Sequence, residues 1–176
     1  MMKILLPIDG SPDALAAVRH ALRLVESGLA AEMVLVNVQV PASLYEVVTA
    51  HDVDVIEQVR TGAGAELLAP AEALLQVSGL SWQSEVVGGY PSTMLIEVLE
   101  NYGCDMVVMG ARGMAEPDAD GLGSVAEALL EHSPVPVTVV RLAEAAEAAE
   151  AESESESESE SESESESASA SASASE

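Results

Sequence analysis

The sequence contains no phenylalanine, one tryptophan and three tyrosines, so an interior has to be built from aliphatic side chains. Hydrophobic residues still make up 48% of the 176 residues, which is enough for the core of one globular domain with chain left over. Cysteine is nearly absent. Cys104 alone rules out an intramolecular disulfide and fits a reducing compartment. It opens an apolar run with no candidate base beside it, so it reads as a small buried hydrophobe rather than a nucleophile. Basic residues are scarce as well. Six lysines and arginines face 31 acids, giving a net charge of -25. A chain this acidic repels nucleic-acid phosphates and anionic lipid, which argues against both as partners. No run of 18 apolar residues exists, so no membrane-spanning helix is expected. The apolar start is too short for a signal segment and is interrupted by Asp9. The expected location is the cytoplasm.

The acids are unevenly spread. Twelve lie from Glu144 onward, in Glu-Ala-Ala, Ser-Glu and Ser-Ala repeats with no base among them. Residues 1–143 keep 19 acids against six bases, or -13. The repeats offer no apolar face to bury, so residues 144–176 are expected to be a disordered low-complexity tail and residues 1–143 the folded domain.

Hydrophobic periodicity within the domain alternates between strand and helix. Residues 3–8 form a buried apolar run, and Asp9-Gly10 is a turn signal. Ser11-Pro12 then supplies an N-cap and a first-turn proline for a helix carrying Leu15, Val18, Leu22 and Val25. Residues 33–40 form a second strand. Residues 44–78 are mostly helical, with Gly62-Ala63-Gly64 expected to break them in two and Leu67, Leu68, Ala71, Leu74, Leu75 and Val77 as the strongest part. Further strands follow at 82–87, 105–109 and 135–141, with helices on Leu95, Val98, Leu99 and Tyr102 and over 124–132. This β-α alternation predicts a parallel sheet with helices on both faces. Ligands of such sheets sit at the carboxyl ends of the strands. That singles out the turn after residue 8, residues 38–41 and the loop from Gly110.

The loop carries the strongest motif. Gly110-Ala-Arg-Gly113 is followed by nine residues and then Gly123-Ser124-Val125 at the start of a helix. Glycine lets backbone N–H groups approach a phosphate, and a helix N-terminus adds free N–H groups and partial positive charge. Ser124 is placed to cap that helix and offer a hydroxyl. Three glycines at fixed spacing arise by chance in about one chain in twenty, and far less often when Ser must follow at a strand-to-helix junction. A Walker A loop is excluded because it needs lysine after its last glycine, and Lys3 is the sole lysine. Gly121-Leu-Gly123-Ser-Val-Ala126 matches a dinucleotide fingerprint, but it lies ten residues from the strand that should precede it.

The strings Asp105-Met-Val-Val-Met-Gly-Ala-Arg-Gly113 and Gly123-Ser-Val-Ala-Glu-Ala-Leu-Leu-Glu-His, with the opening Pro7-Ile-Asp-Gly-Ser11, resemble the universal stress protein family over about residues 2–142. The Gly-x2-Gly-x9-Gly-Ser spacing is that of its ATP-binding branch. The resemblance implies a five-stranded parallel sheet of order 3-2-1-4-5 and a bound ATP, ADP or AMP. Pro7 and Asp9 would sit by the adenosine, Val38 would meet adenine through its backbone, and Met109 and Gly110 would line the nucleoside. Arg112, Gly113, Gly123, Ser124 and Val125 would surround ribose and phosphates. The resemblance also implies a homodimer through the last strand, Val137 to Val140.

Glu116, Asp118 and Asp120 depart from that pattern. Carboxylates beside a triphosphate repel it unless a cation intervenes. They either recruit Mg²⁺ or Mn²⁺ or face solvent, as loop acids ordinarily do. No Ser-His-Asp or Cys-His arrangement is legible, and His20, His51 and His132 have no ligand spacing. Tyr90 either edges the pocket or covers the sheet end. Three functions compete: a nucleotide-binding regulatory or stress-response protein, a slow ATPase or adenylyl- or phosphoryl-transfer enzyme, and a dimerisation module without nucleotide. Transfer chemistry needs a positioned cation and a second-substrate site. Arg112 is the sole basic candidate near the loop, so binding without turnover is favoured.

Overall fold

In the computed structural model, residues 1–41, 53–114 and 121–142 are described. Among the described residues five strands and four helices alternate: β1 (Met2–Pro7), α1 (Pro12–Glu26), β2 (Ala31–Gln39), α2 (Val53–Ser78), β3 (Trp82–Gly88), α3 (Pro91–Tyr102), β4 (Met106–Gly110), α4 (Ser124–His132) and β5 (Val137–Val140). The strands form one parallel sheet of order β3-β2-β1-β4-β5, as the resemblance implies.

The two faces of the sheet follow from strand alternation. Ile4, Leu6, Met33 and Leu35 point to one face and pack with Ala17, Val18 and Ala21 of α1 and Leu68, Ala71 and Leu75 of α2. Leu5, Val34, Val36, Val107 and Met109 point to the other and pack with Leu95, Val98 and Leu99 of α3 and Ala126 and Leu129 of α4. Central strands buried on both sides explain why β1 and β2 are continuous apolar runs. Each such side chain contributes about 1.5–3 kcal/mol of transfer free energy. Cys104 packs in the second cluster as a buried free thiol.

Helix α2 corrects one expectation. It runs unbroken from Val53 to Ser78 through Gly62, Gly64 and even Pro70. Intrinsic propensity disfavours that, but packing overrides it. Gly64 lies against the sheet, where an added Cβ would collide with Val86 Cγ1 and stand 2.9 Å from Asn37 Oδ1. Gly64, Leu68, Ala71 and Leu75 form the buried stripe. Val77 was expected in that stripe but is 90% exposed, because its position rotates it away from the sheet. The last strand is also shorter than its apolar run, starting at Val137 rather than 135.

Candidate functional site

The chain leaves β1 through Asp9-Gly10. Gly10 takes a positive φ of 87°, which the tight turn into α1 requires. Ser11 then caps α1, its Oγ accepting the Ala14 N–H at 3.2 Å, with Pro12 at the first helical position. At the neighbouring strand end, Gly110 closes β4 and the chain turns through Ala111, Arg112 and Gly113. These two exits are far apart in sequence and lie against each other.

Their contacts are specific. Asp9 Oδ1 accepts the Ser11 N–H at 3.0 Å, and Oδ2 accepts the Met114 N–H at 2.9 Å. Asp13, 5% exposed in the first turn of α1, accepts the Arg112 N–H at 3.2 Å. The same Asp13 oxygen stands 3.5 Å from Arg112 Nε, a Coulombic contact too long for a good hydrogen bond. Ser11 Oγ donates to the Arg112 carbonyl at 3.4 Å. Both loop glycines are required by this packing. A Cβ on Gly110 would lie 2.8 Å from Ala14 N, and one on Gly113 would lie 2.6 Å from Asp9 Oδ2.

Helix α4 begins beside this lock. The Gly123 N–H donates to the Ala111 carbonyl at 2.8 Å, and the Ala111 N–H donates to Val140 at 2.7 Å. Arg141 donates to the Gly121 carbonyl at 2.9 Å. The expectation that Ser124 caps α4 is corrected. Gly123 is the N-cap, with extended φ and ψ, and Ser124 is the first helical residue, exposed. No side-chain cap hydrogen bond is made at this helix start.

A cavity of about 350 Å³ opens between these elements at the carboxyl ends of β1, β2 and β4. That size falls within the range of small-molecule sites. All ten residues singled out in the sequence line it: Pro7, Asp9, Val38, Met109, Gly110, Arg112, Gly113, Gly123, Ser124 and Val125. Val36, Val38, Leu95 and Met109 supply apolar lining, and Ser124, Val125 and Ala126 at the start of α4 line the same cavity. Glu116, Asp118 and Asp120 lie outside the described residues, as does His51. Among the described residues no group of three or more His, Cys, Asp and Glu is placed to hold a metal. Tyr90 is 71% exposed just before α3 and does not line the cavity.

Sequence reasoning missed three contributors. Asp13 carries no motif in the sequence, and its contact with Arg112 is made only by the fold. Asn37 is buried and donates to the Ile8 carbonyl at 2.7 Å, fixing the exit of β1 against β2. Arg60 on α2 donates to the Gln39 and Val40 carbonyls at 2.8 and 2.5 Å, holding the end of β2 that carries Val38. Cys104 is at the opposite end of β4 from the cavity. Burial pushes its thiol above the ordinary value of 9.0, outweighing the opposing pull of Lys3.

Residues 1–141 match the sequence profile of the Universal stress protein family. The chain belongs to that family. It is 27% identical over 139 residues to a universal stress protein of Methanocaldococcus jannaschii, covering 79% of this chain and 81% of that protein. The solved structure of a hypothetical protein, MJ0577, whose biochemical function was assigned from its structure, superposes with a TM-score of 0.69 at 25% identity, covering 81% of this chain and 96% of its own. Two more distant universal stress protein structures share the fold. One, from Arabidopsis thaliana with AMP bound, has a TM-score of 0.59 at 17% identity and covers 82% of this chain and 93% of its own. The other, in complex with cAMP, has a TM-score of 0.58 at 20% identity and covers 79% and 96%. Among the described residues of this universal stress protein, no helix is long and apolar enough to cross a membrane.

Proposed function

We propose that this universal stress protein binds an adenine nucleotide in the cavity between β1, β2, β4 and α4 and acts as a regulatory or stress-response protein without turnover. One observation carries the reading: apolar side chains and the first turn of a helix line one cavity of about 350 Å³. A planar base fits against Val38 and Met109, and a phosphate fits at the first turn of α4, where N–H groups precede the first intrahelical partner. The AMP and cAMP held by two proteins of the same fold support adenine as the base. Cavity residues are Pro7, Asp9, Val38, Met109, Gly110, Arg112, Gly113, Gly123, Ser124 and Val125, with Asp13 as a positioning residue. Titration calorimetry of the full chain with AMP, ADP and ATP tests the reading. Saturable binding below millimolar concentration supports it, and no binding of any of the three defeats it.

A second copy of the chain is the partner we infer for β5. Among the described residues Val137–Val140 is an edge strand of half-buried residues, and an edge strand is a template for another strand. Light scattering that returns a dimer mass, reduced to monomer by Thr138→Pro, fits this assignment. Residues 144–176 lie outside the described residues.

A further inference from the structure

At the cavity, β2 outruns its neighbour β1. Their register ends with Pro7 opposite Val36, and the Ile8 N–H donates to the Val36 carbonyl at 2.8 Å. Asn37, Val38 and Gln39 continue opposite Val86, Val87 and Gly88 of β3. Among the described residues this overhang has a partner strand on one side only. It carries Val38, followed by Val40, and both line the cavity. A strand end with so few ladder bonds opens easily, and whatever it presents to a base moves with it.

Side chains replace the missing strand. Residues alternate across β2, so Val36, Val38 and Val40 line the cavity while Asn37 and Gln39 point toward α2. Asn37 Nδ2 donates to the Ile8 carbonyl at 2.7 Å, and its Oδ1 accepts from Gln39 Nε2 at 2.6 Å. Arg60 of α2 secures the last carbonyls. Its Nη2 donates to Gln39 at 2.8 Å and to Val40 at 2.5 Å. The Gln39 carbonyl also accepts the Gly89 N–H at 2.9 Å, so α2 and the turn after β3 hold the same peptide. Bonds from a guanidinium are charge-assisted and stronger than neutral ones. Arg60 lies one helical turn before Gly64, on the same face of α2. A Cβ on Gly64 would stand 2.9 Å from Asn37 Oδ1, so this glycine lets α2 come close enough for Arg60 to reach the strand end. Arg60 does not itself line the cavity. The start of α4 is held by other bonds, from the Gly123 N–H to Ala111 and from the Ala111 N–H to Val140, which involve neither β2 nor α2.

We propose that Arg60 is a positioning residue for base recognition: from outside the cavity it fixes the overhanging end of β2 that meets the nucleobase. The inference rests on the nucleotide-binding reading above. Calorimetry on the full chain with AMP and with UMP, which shares the ribose and phosphate but not the purine, tests it. The unaltered chain is expected to prefer AMP. Arg60→Met keeps the length and helix propensity of the side chain and removes the donor. It should weaken AMP binding about tenfold and UMP binding far less, so the preference shrinks. Arg60→Gln, read in the same way, serves if Arg60→Met does not fold. Arg60→Lys should recover most of the AMP affinity, because a single nitrogen serves both carbonyls. Equal affinity of the unaltered chain for AMP and UMP overturns the inference and leaves nucleotide binding intact. So does an equal loss of both ligands in Arg60→Met, an unchanged AMP affinity, or a lysine variant no better than the methionine one. An unaltered chain that binds neither ligand overturns the nucleotide reading and this inference with it.

Discussion

Gly113 lies so close to Asp9 that a single added carbon on it would stand 2.6 Å from the Asp9 Oδ2 oxygen. That oxygen also accepts the Met114 N–H, while Oδ1 accepts the Ser11 N–H, so the carboxylate has little room to yield. Gly113→Ala should therefore break the Asp9–Met114 bond and shift the loop. The expected cost is about 1–3 kcal/mol of stability, from overpacking and a lost hydrogen bond. AMP affinity should fall at least tenfold. Thermal unfolding and calorimetry on the same preparation check the two effects together.

Asp13 joins α1 to the loop after β4 through both the N–H and the guanidinium of Arg112. Asp13→Ala leaves a part-buried N–H and a half-buried arginine without this partner. The expected loss is about 1–3 kcal/mol, with Asp13→Asn losing less because an amide oxygen can still accept the N–H. Urea denaturation at neutral pH measures it. Equal stability of the alanine variant and the unaltered chain would contradict the role given to this residue.

Two glycines of α2 should respond in opposite directions. Gly62 has nothing within 4 Å of an added Cβ. Gly62→Ala should stabilise by about 0.5–1 kcal/mol through helix propensity and a less flexible unfolded chain. Gly64→Ala meets Val86 and Asn37 and should destabilise by about 1–3 kcal/mol despite the same gain in propensity. Denaturant midpoints of the pair separate packing from propensity within one helix.

Burial raises the Cys104 thiol above 9.0, and burial followed by the neighbouring Glu85 raises the Tyr102 phenol above 10.0. Both groups are neutral when protonated, and the unfolded chain gives up these protons first. Their contribution to stability is thus complete below the unfolded values and is lost as pH rises through the folded ones. Stability should fall above about pH 9, and Cys104→Ala should flatten the first part of that decline. A thiol reagent at pH 7.5 should label native Cys104 slowly and the unfolded chain fast.

Much of this arrangement was legible in the sequence because it depends on local pattern. Continuous apolar runs marked β1 and β2 as central strands, and the alternation with helices fixed a parallel sheet with its ligand end at Asp9 and Gly110. The ten residues chosen there do surround one cavity. What was hidden depends on contacts across the fold. The pairing of Asp13 with Arg112 spans 99 positions, and a first-turn acid needs no partner to be explained. Gly64 looked like a helix breaker because propensity is local, whereas its need for close approach to Val86 is set by the sheet. Ser124 looked like the cap because serine so often is one. The backbone turns one residue earlier, at Gly123, since the Gly123 N–H is drawn to Ala111.

The central claim is that an adenine nucleotide binds with its phosphate at the start of α4. Amide chemical-shift mapping of the isotopically labelled full chain with added AMP tests it most directly. The account predicts saturable shifts concentrated at Gly113, Ser124, Val125 and Ala126, with smaller ones at Asp9 and Val38. No shifts at millimolar AMP, or shifts confined to residues away from the cavity, would contradict it.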